Sequence, residues 1–174
     1  MPAMKKMSNC LWFDGKAEEA ARFYVSVFPN SKITQITRYG EEGHDIHKQK
    51  AGSVLTVSFS LDGNEFTGLN GGPEFKFNEA ISFEIHCETQ KDIDFFWDKL
   101  SQGGDPKAQV CGWLKDRYGV SWQVAPAIMY EWLEGSPTPA SERVMKAMMQ
   151  MKKLDIATLE AAFEGKEERV PAGK

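Results

Sequence analysis

The sequence predicts a mixed α+β protein built from two βαβββ modules whose strands curve into one sheet around a cup, followed by C-terminal helices. Three observations carry that reading. Several short segments alternate apolar and polar residues with the two-residue period of strands. Two helical stripes, each carrying an aromatic pair (Phe23-Tyr24 and Phe96-Trp97), follow similar strands, so one unit occurs twice. After Pro126 the alternation gives way to apolar residues at helical spacing.

Composition bounds the function before any motif does. The chain has 174 residues, 41% hydrophobic and 26% charged, with a formal net charge of −4. That charge leaves no basic face to displace counterions from nucleic acid. No apolar run is long enough to cross a bilayer. The first residues lack the apolar core and small-residue cleavage site of a signal peptide. Cys10, Cys87 and Cys111 have no paired spacing, which fits a reducing, cytoplasmic setting.

Ser8 to Phe13 reads as a strand with Leu11 and Phe13 on one face and Cys10 and Trp12 on the other. Asp14 is a plausible helix N-cap. Ala17, Ala20, Ala21, Tyr24, Val27 and Phe28 then recur at helical spacing, and Pro29-Asn30 ends the helix. Ser31 to Tyr39 is a strand rich in Ile and Thr. Gly40 to Gly52 is a charged loop whose His44 and His47 suit a solvated segment better than a metal site. Ser53 to Leu61 alternates, with Leu55, Val57, Phe59 and Leu61 on one face and Thr56, Ser58 and Ser60 on the other. Asp62-Gly63-Asn64 has hairpin-turn chemistry, Glu65 to Asn70 returns, and Gly71-Gly72-Pro73 breaks the strand.

The pattern then restarts. Ile81 to Cys87 places Ile81, Phe83 and Ile85 opposite Ser82, Glu84 and His86. Thr89 with Asp92 forms a capping box for a helix whose stripe is Ile93, Phe96, Trp97 and Leu100, stopped at Gly103-Gly104. Cys111 to Pro126 is a hairpin about Asp116-Arg117-Tyr118-Gly119, with Val120, Trp122 and Val124 on one face and Ser121, Gln123 and Ala125 on the other. The modules therefore span about residues 8–72 and 80–126, a paired domain of 8–126, with a helical extension at 127–165. Ile128 to Leu133, the stripe Val144, Met148 and Met151, and the stripe Ile156, Leu159 and Phe163 form that extension. Such helices need a surface to pack on, either the sheet or a second subunit. Gly165 to Lys174 is a charged tail expected to fray.

If helices cover the apolar strand faces, the other faces present Cys10, Trp12, Thr56, Ser58, Thr67, Leu69, Ser82, Glu84, His86, Ser121 and Gln123. So little Lys or Arg on such a surface suits an enclosed ligand site better than a solvated sheet face. Glu84 and His86 could act as an acid–base pair, since burial in a cup would bring the carboxyl toward working pH. Ligand contact without catalysis is the favoured reading, and Cys10 has no evident base beside it to make it a nucleophile.

The strand before DGKAEEAARFY, the hairpin LDGNEFTGLNGGP, ISFEIHCETQKDIDFFWDKLSQGG, CGWLKDRYGVSWQVAP and the tail ERVMKAMMQMKKLDIATLEAAF together resemble the PhnB-like branch of the vicinal oxygen chelate superfamily. That superfamily includes glyoxalase I, bleomycin and fosfomycin resistance proteins and extradiol dioxygenases, and the branch often carries the label 3-demethylubiquinone-9 3-methyltransferase. The resemblance implies a glyoxalase/bleomycin resistance-like fold, usually in a homodimer. It also implies metal-ligand positions near Cys10, between Glu65 and Leu69, near Glu84 with His86 on the same face, and at Gln123. A thiol, a carboxylate, an imidazole and an amide are a poor set for a divalent metal. No cofactor is therefore expected, although Cys10, Glu84 and His86 could still hold a divalent metal.

The candidate ligand contacts are Trp12, Thr67, Glu84, His86, Trp113 and Gln123. The favoured function is a small-molecule-binding protein of the resistance type with a dimeric cup. The alternatives are a metal-dependent lyase, isomerase or dioxygenase, or the methyltransferase of the family label. The last lacks the glycine-rich strand–turn–helix that usually holds a methyl donor. Neither nucleic acid nor membrane is expected as a partner.

Overall fold

The structure, a computed structural model, describes residues 7–166. Most of the charged tail expected to fray, and the first residues weighed as a leader, lie outside the described residues. The chain divides into two compact units, Met1–Phe77 and Asn78–Lys174.

The first unit begins with β1 (Asn9–Phe13) and α1 (Ala17–Val27), then β2 (Lys32–Arg38), the one-turn helix α2 (His44–His47), β3 (Val54–Leu61) and β4 (Asn64–Asn70). Its sheet has the order β1-β4-β3-β2, with β1 parallel to β4 and the other pairs antiparallel. Asp62 and Gly63 both take positive φ, 44° and 84°. That is the turn whose twist suits a two-residue hairpin between Leu61 and Asn64. Ala17, Ala20, Ala21, Tyr24 and Val27 of α1 are buried, together with Val57, Phe59, Leu61 and Phe66 of the sheet. The alternation of the strands and the stripe of the helix thus meet in one core.

Asp14 does not cap α1. The N-cap position is Lys16, with no side-chain cap bond. The backbone N–H of Ala17 instead donates to Oδ1 of Asn70, 2.9 Å away at the far end of β4. The charged loop contains a short helix because Gly43 and Lys48 adopt left-handed conformations at its two ends. There His47 accepts the Gln49 backbone N–H and packs against Tyr39, so its ring is held by the loop itself.

The second unit contains β5 (Phe83–Cys87), α3 (Gln90–Ser101), the 3₁₀ turn Pro106–Ala108, β6 (Trp113–Lys115) and β7 (Ser121–Pro126). Its sheet order is β5-β7-β6, again with the first strand parallel to the last. The expected duplication is present as this shared topology, but it is uneven. Where the first unit has β2, the second has a 3₁₀ turn and an isolated bridge between Val110 and Trp113. Pro106 removes a ladder donor, and Gly104 lies so close to the Lys115 carbonyl that a Cβ would sit 1.9 Å from it. The mixed α+β class stands. The capping box of Thr89 and Asp92 forms as expected, whereas Ile81 lies before β5 and is 74% exposed rather than part of the apolar face.

The hairpin turn is built on a buried carboxylate. Asp116 Oδ1 accepts the backbone N–H groups of Tyr118 and Val120, and its Oδ2 accepts the Trp122 indole N–H at 2.9 Å. This fixes Trp122 on the buried face, and the strand pleat places Gln123 on the opposite one.

The extension consists of α4 (Ala127–Trp132), α5 (Pro139–Met148) and α6 (Ile156–Glu164). Its apolar stripes do not wait for a second subunit. Val144, Ala147, Leu154, Leu159 and Ala162 close over Ala125 and Met129 within the same chain. The segment between α5 and α6 is stitched to the module: Cys111 and Gly112 donate to the carbonyls of Met151 and Lys152, and the Gln90 amide exchanges bonds with Leu154 and Ile156. Among the described residues no helix is long and apolar enough to cross a membrane.

Candidate functional site

The second unit brings four sequence-predicted residues onto neighbouring strands. Glu84 of β5 and Gln123 of β7 are register partners in a parallel pair, and Trp113 of β6 stands opposite Gln123. Residues opposite one another across a ladder share a face, so these three and His86, two residues beyond Glu84, lie on one side of the sheet. Phe83 and Trp122, a rung earlier, pack ring against ring on the other.

The polar contacts centre on Glu84. Gln123 Nε2 donates to Ser82 Oγ at 2.9 Å and, at 3.4 Å, to Glu84 Oε1. Tyr130 donates its phenol proton to Glu84 Oε2 at 2.9 Å. His86 Nε2 lies 3.3 Å from the same oxygen, and its ring stacks on Tyr130 with centroids 4.1 Å apart and planes 17° from parallel. Both carboxylate oxygens thus hold neutral hydrogen-bond donors, and His86 forms an ion pair with Glu84 only when it is protonated. The Tyr130 phenol is pushed up to about 12, first by desolvation and then by the Glu84 hydrogen bond and charge. At ordinary pH it is a donor, not a base.

The side chains of His86 and Glu84 remain 50% and 45% exposed. The cluster is a ready set of hydrogen-bonding groups half open to solvent. Beneath it, Ser121 of the same strand face is buried, and its hydroxyl has no protein partner.

Trp12 and Thr67 belong to the first unit. The Trp12 indole N–H donates to the Gly72 carbonyl at 2.9 Å, and its ring meets Phe75 edge-on. Gly71 is pressed against that ring, so a Cβ there would lie 2.1 Å from it. The Gly71-Gly72-Pro73 turn therefore serves the packing of Trp12. Thr67 pairs with Cys10 on one side and Ser58 on the other. The Cys10–Thr67 rung holds the place in the first sheet that Glu84–Gln123 holds in the second, since each is the second rung of the parallel pair.

Cys10 belongs to the first unit, and Glu84 and His86 to the second. Among the described residues no group of three or more His, Cys, Asp or Glu side chains is placed to hold a metal ion. The local donor set does not fit one either, because the Gln123 amide turns its N–H groups toward Ser82 and Glu84. Cys87 is a buried thiol, pushed up to about 12 by desolvation and by the charge of Asp92, and is correspondingly unreactive.

Tyr130 is the residue that sequence reasoning missed. The only signal was its position on a short helix directly after the strand of Gln123, and nothing in helical periodicity says that its hydroxyl turns back to β5.

Residues 5–125 match the family described as 3-demethylubiquinone-9 3-methyltransferase. A solved structure described as a putative 3-demethylubiquinone-9 3-methyltransferase, PhnB protein, from Bacillus cereus is 40% identical. It covers 71% of this chain and 100% of its own, with a TM-score of 0.59. Protein PA1353 from Pseudomonas aeruginosa, 15% identical, covers 71% of this chain and 98% of its own at a TM-score of 0.54, a likeness of fold. The fosfomycin resistance protein FosX from Listeria monocytogenes is 12% identical, covering 76% and 100%, at a TM-score of 0.45. No curated protein matches the chain.

Proposed function

We propose that this chain, which belongs to the 3-demethylubiquinone-9 3-methyltransferase family, is a small-molecule-binding protein. It contacts its ligand through Glu84, His86, Gln123 and Trp113 and works as a homodimer with a cup-shaped site. Trp12 and Thr67 are the first unit's candidate contacts. The observation that carries the reading is the half-exposed Glu84 carboxylate, held by Gln123 and Tyr130 on one sheet face. A carboxylate fixed by neutral donors keeps its charge available to a ligand's N–H or O–H groups, and charge-assisted bonds are the stronger kind.

A library of small polar compounds carrying N–H or O–H donors, screened by thermal shift, tests this directly, since binding raises the melting temperature by mass action. Hits that stabilise the wild type and lose their effect in Glu84→Gln support the reading. Stabilisation that survives in Glu84→Gln places binding elsewhere and refutes the site. Stoichiometric metal in the untreated protein would favour a metal-dependent lyase, isomerase or dioxygenase instead. The methyltransferase activity named in the family description is the second reading, and titration with S-adenosylmethionine tests it. Its weakness here is that the Gly71-Gly72 turn is taken up in seating Trp12.

A further inference from the structure

We propose that α4 is a latch over the Glu84–His86 pair and that Tyr130 is the residue deciding which ligands reach it. The inference rests on the reading of that sheet face as a ligand site. It deepens that reading by placing a specificity-determining residue outside the stretch matched by the family, which ends at residue 125.

Tyr130 makes two different contacts at once. Its hydroxyl occupies Oε2 of Glu84 at 2.9 Å, and its ring covers a face of His86 at 4.1 Å. A ligand seeking Glu84 Oε2 or the covered face of His86 must displace the tyrosine or compete with it, and the competitor for Oε2 needs an N–H or O–H donor to replace the phenol. The helix that carries Tyr130 suits such a role. It has six residues and no side-chain cap at its start, so it is too short to persist on its own. Met129, on its inner side, is buried in the C-terminal cluster, whereas Tyr130 and Ile128 are 39% and 37% exposed. One edge is anchored and the other lies at the surface over the pair, as a movable cover requires.

Two chemical probes test the latch without any ligand. Diethyl pyrocarbonate modification, read per peptide by mass spectrometry, compares His86 with the exposed His44 as an internal reference. In Tyr130→Ala the His86-to-His44 ratio should rise severalfold over the wild type. Carbodiimide coupling of glycine ethyl ester compares Glu84 with the exposed Glu134. In Tyr130→Phe, which keeps the ring and loses the hydroxyl, labelling of Glu84 should rise severalfold. Unchanged ratios overturn the proposal. Should the alanine variant fail to fold, the phenylalanine variant and Glu84 labelling decide alone. A ligand screen that returns nothing leaves this result standing, and an unchanged ratio leaves the ligand reading standing, so the two fail separately.

Discussion

At the residue scale, the sheet face of the second unit turns on what Gln123 is. A carboxamide donates and accepts hydrogen bonds but lacks the charge that offsets dehydration of a divalent ion. Gln123→Glu would place two carboxylates on one rung with His86 alongside. Isothermal titration with Zn²⁺ should then show affinity raised at least about tenfold, worth ~1.4 kcal/mol. Without metal the variant should melt below the wild type, because like charges directly opposite on neighbouring strands repel. Equal Zn²⁺ affinity in the two proteins would mean that Gln123 does not stand where a ligand is wanted. Tyr130 gives a second prediction at this scale. Its phenol is held above its ordinary value of 10, at about 12, so the neutral form is favoured by folding. The corresponding stability is fully present below about 10 and is lost as pH rises through about 12. Thermal melts across that alkaline window should fall less steeply for Tyr130→Phe than for wild type. The comparison cancels the contribution of Cys87, which is shifted the same way in both proteins.

At the element scale, some helix ends are held by groups distant in sequence and others by local caps such as Thr89 and Thr138. The start of α1 depends on Asn70, whose Oδ1 takes the Ala17 N–H and whose Nδ2 donates to the Val54 carbonyl at 3.0 Å. One buried side chain thereby joins a helix N-terminus to two strands. Asn70→Ala leaves a buried N–H unpaired and should cost about 2–3 kcal/mol in denaturant unfolding. A loss within about 0.5 kcal/mol, the range of ordinary surface changes, would show that the bond is replaced by water. At the other end of the chain, Arg143 of α5 donates to the carbonyls of Ala162 and Phe163, closing the open end of α6. Cationic groups belong at helix C-termini for this reason. The extension is thus tied together as one element with the C-terminal end of β7, which is what brings α4 to the site strand.

At the scale of the whole molecule, each unit closes its own sheet with its own helix, and the second also absorbs the extension. The apolar stripes that would have argued for a second subunit are used within the chain. What remains exposed is a scatter of large apolar side chains, among them Phe75, Ile81, Met145 and Met149. The proposed homodimer would bury part of that set, and sedimentation at micromolar concentration should give a dimer. A single monomeric species there would reject the homodimer and leave the Glu84 site to be explained within one copy.

Local rules determined much of this protein from its sequence. The two-residue period marked β1, β3, β4, β5 and β7, the Asp62-Gly63 pair specified its turn, and Thr89 with Asp92 specified the start of α3, because each depends on neighbours a few residues away. The placing of Glu84 and Gln123 on one face followed from alternation together with the family resemblance. Only the tertiary structure decided the rest. The cap of α1 comes from Asn70 rather than Asp14, the Trp12 indole is spent on Gly72, the equivalent of β2 is lost in the second unit, and Tyr130 closes on Glu84. In the Asn70, Trp12 and Tyr130 cases a hydrogen-bonding group was claimed by a partner far along the chain. Sequence periodicity records which face a residue occupies, whereas the identity of such a partner depends on how separate elements pack.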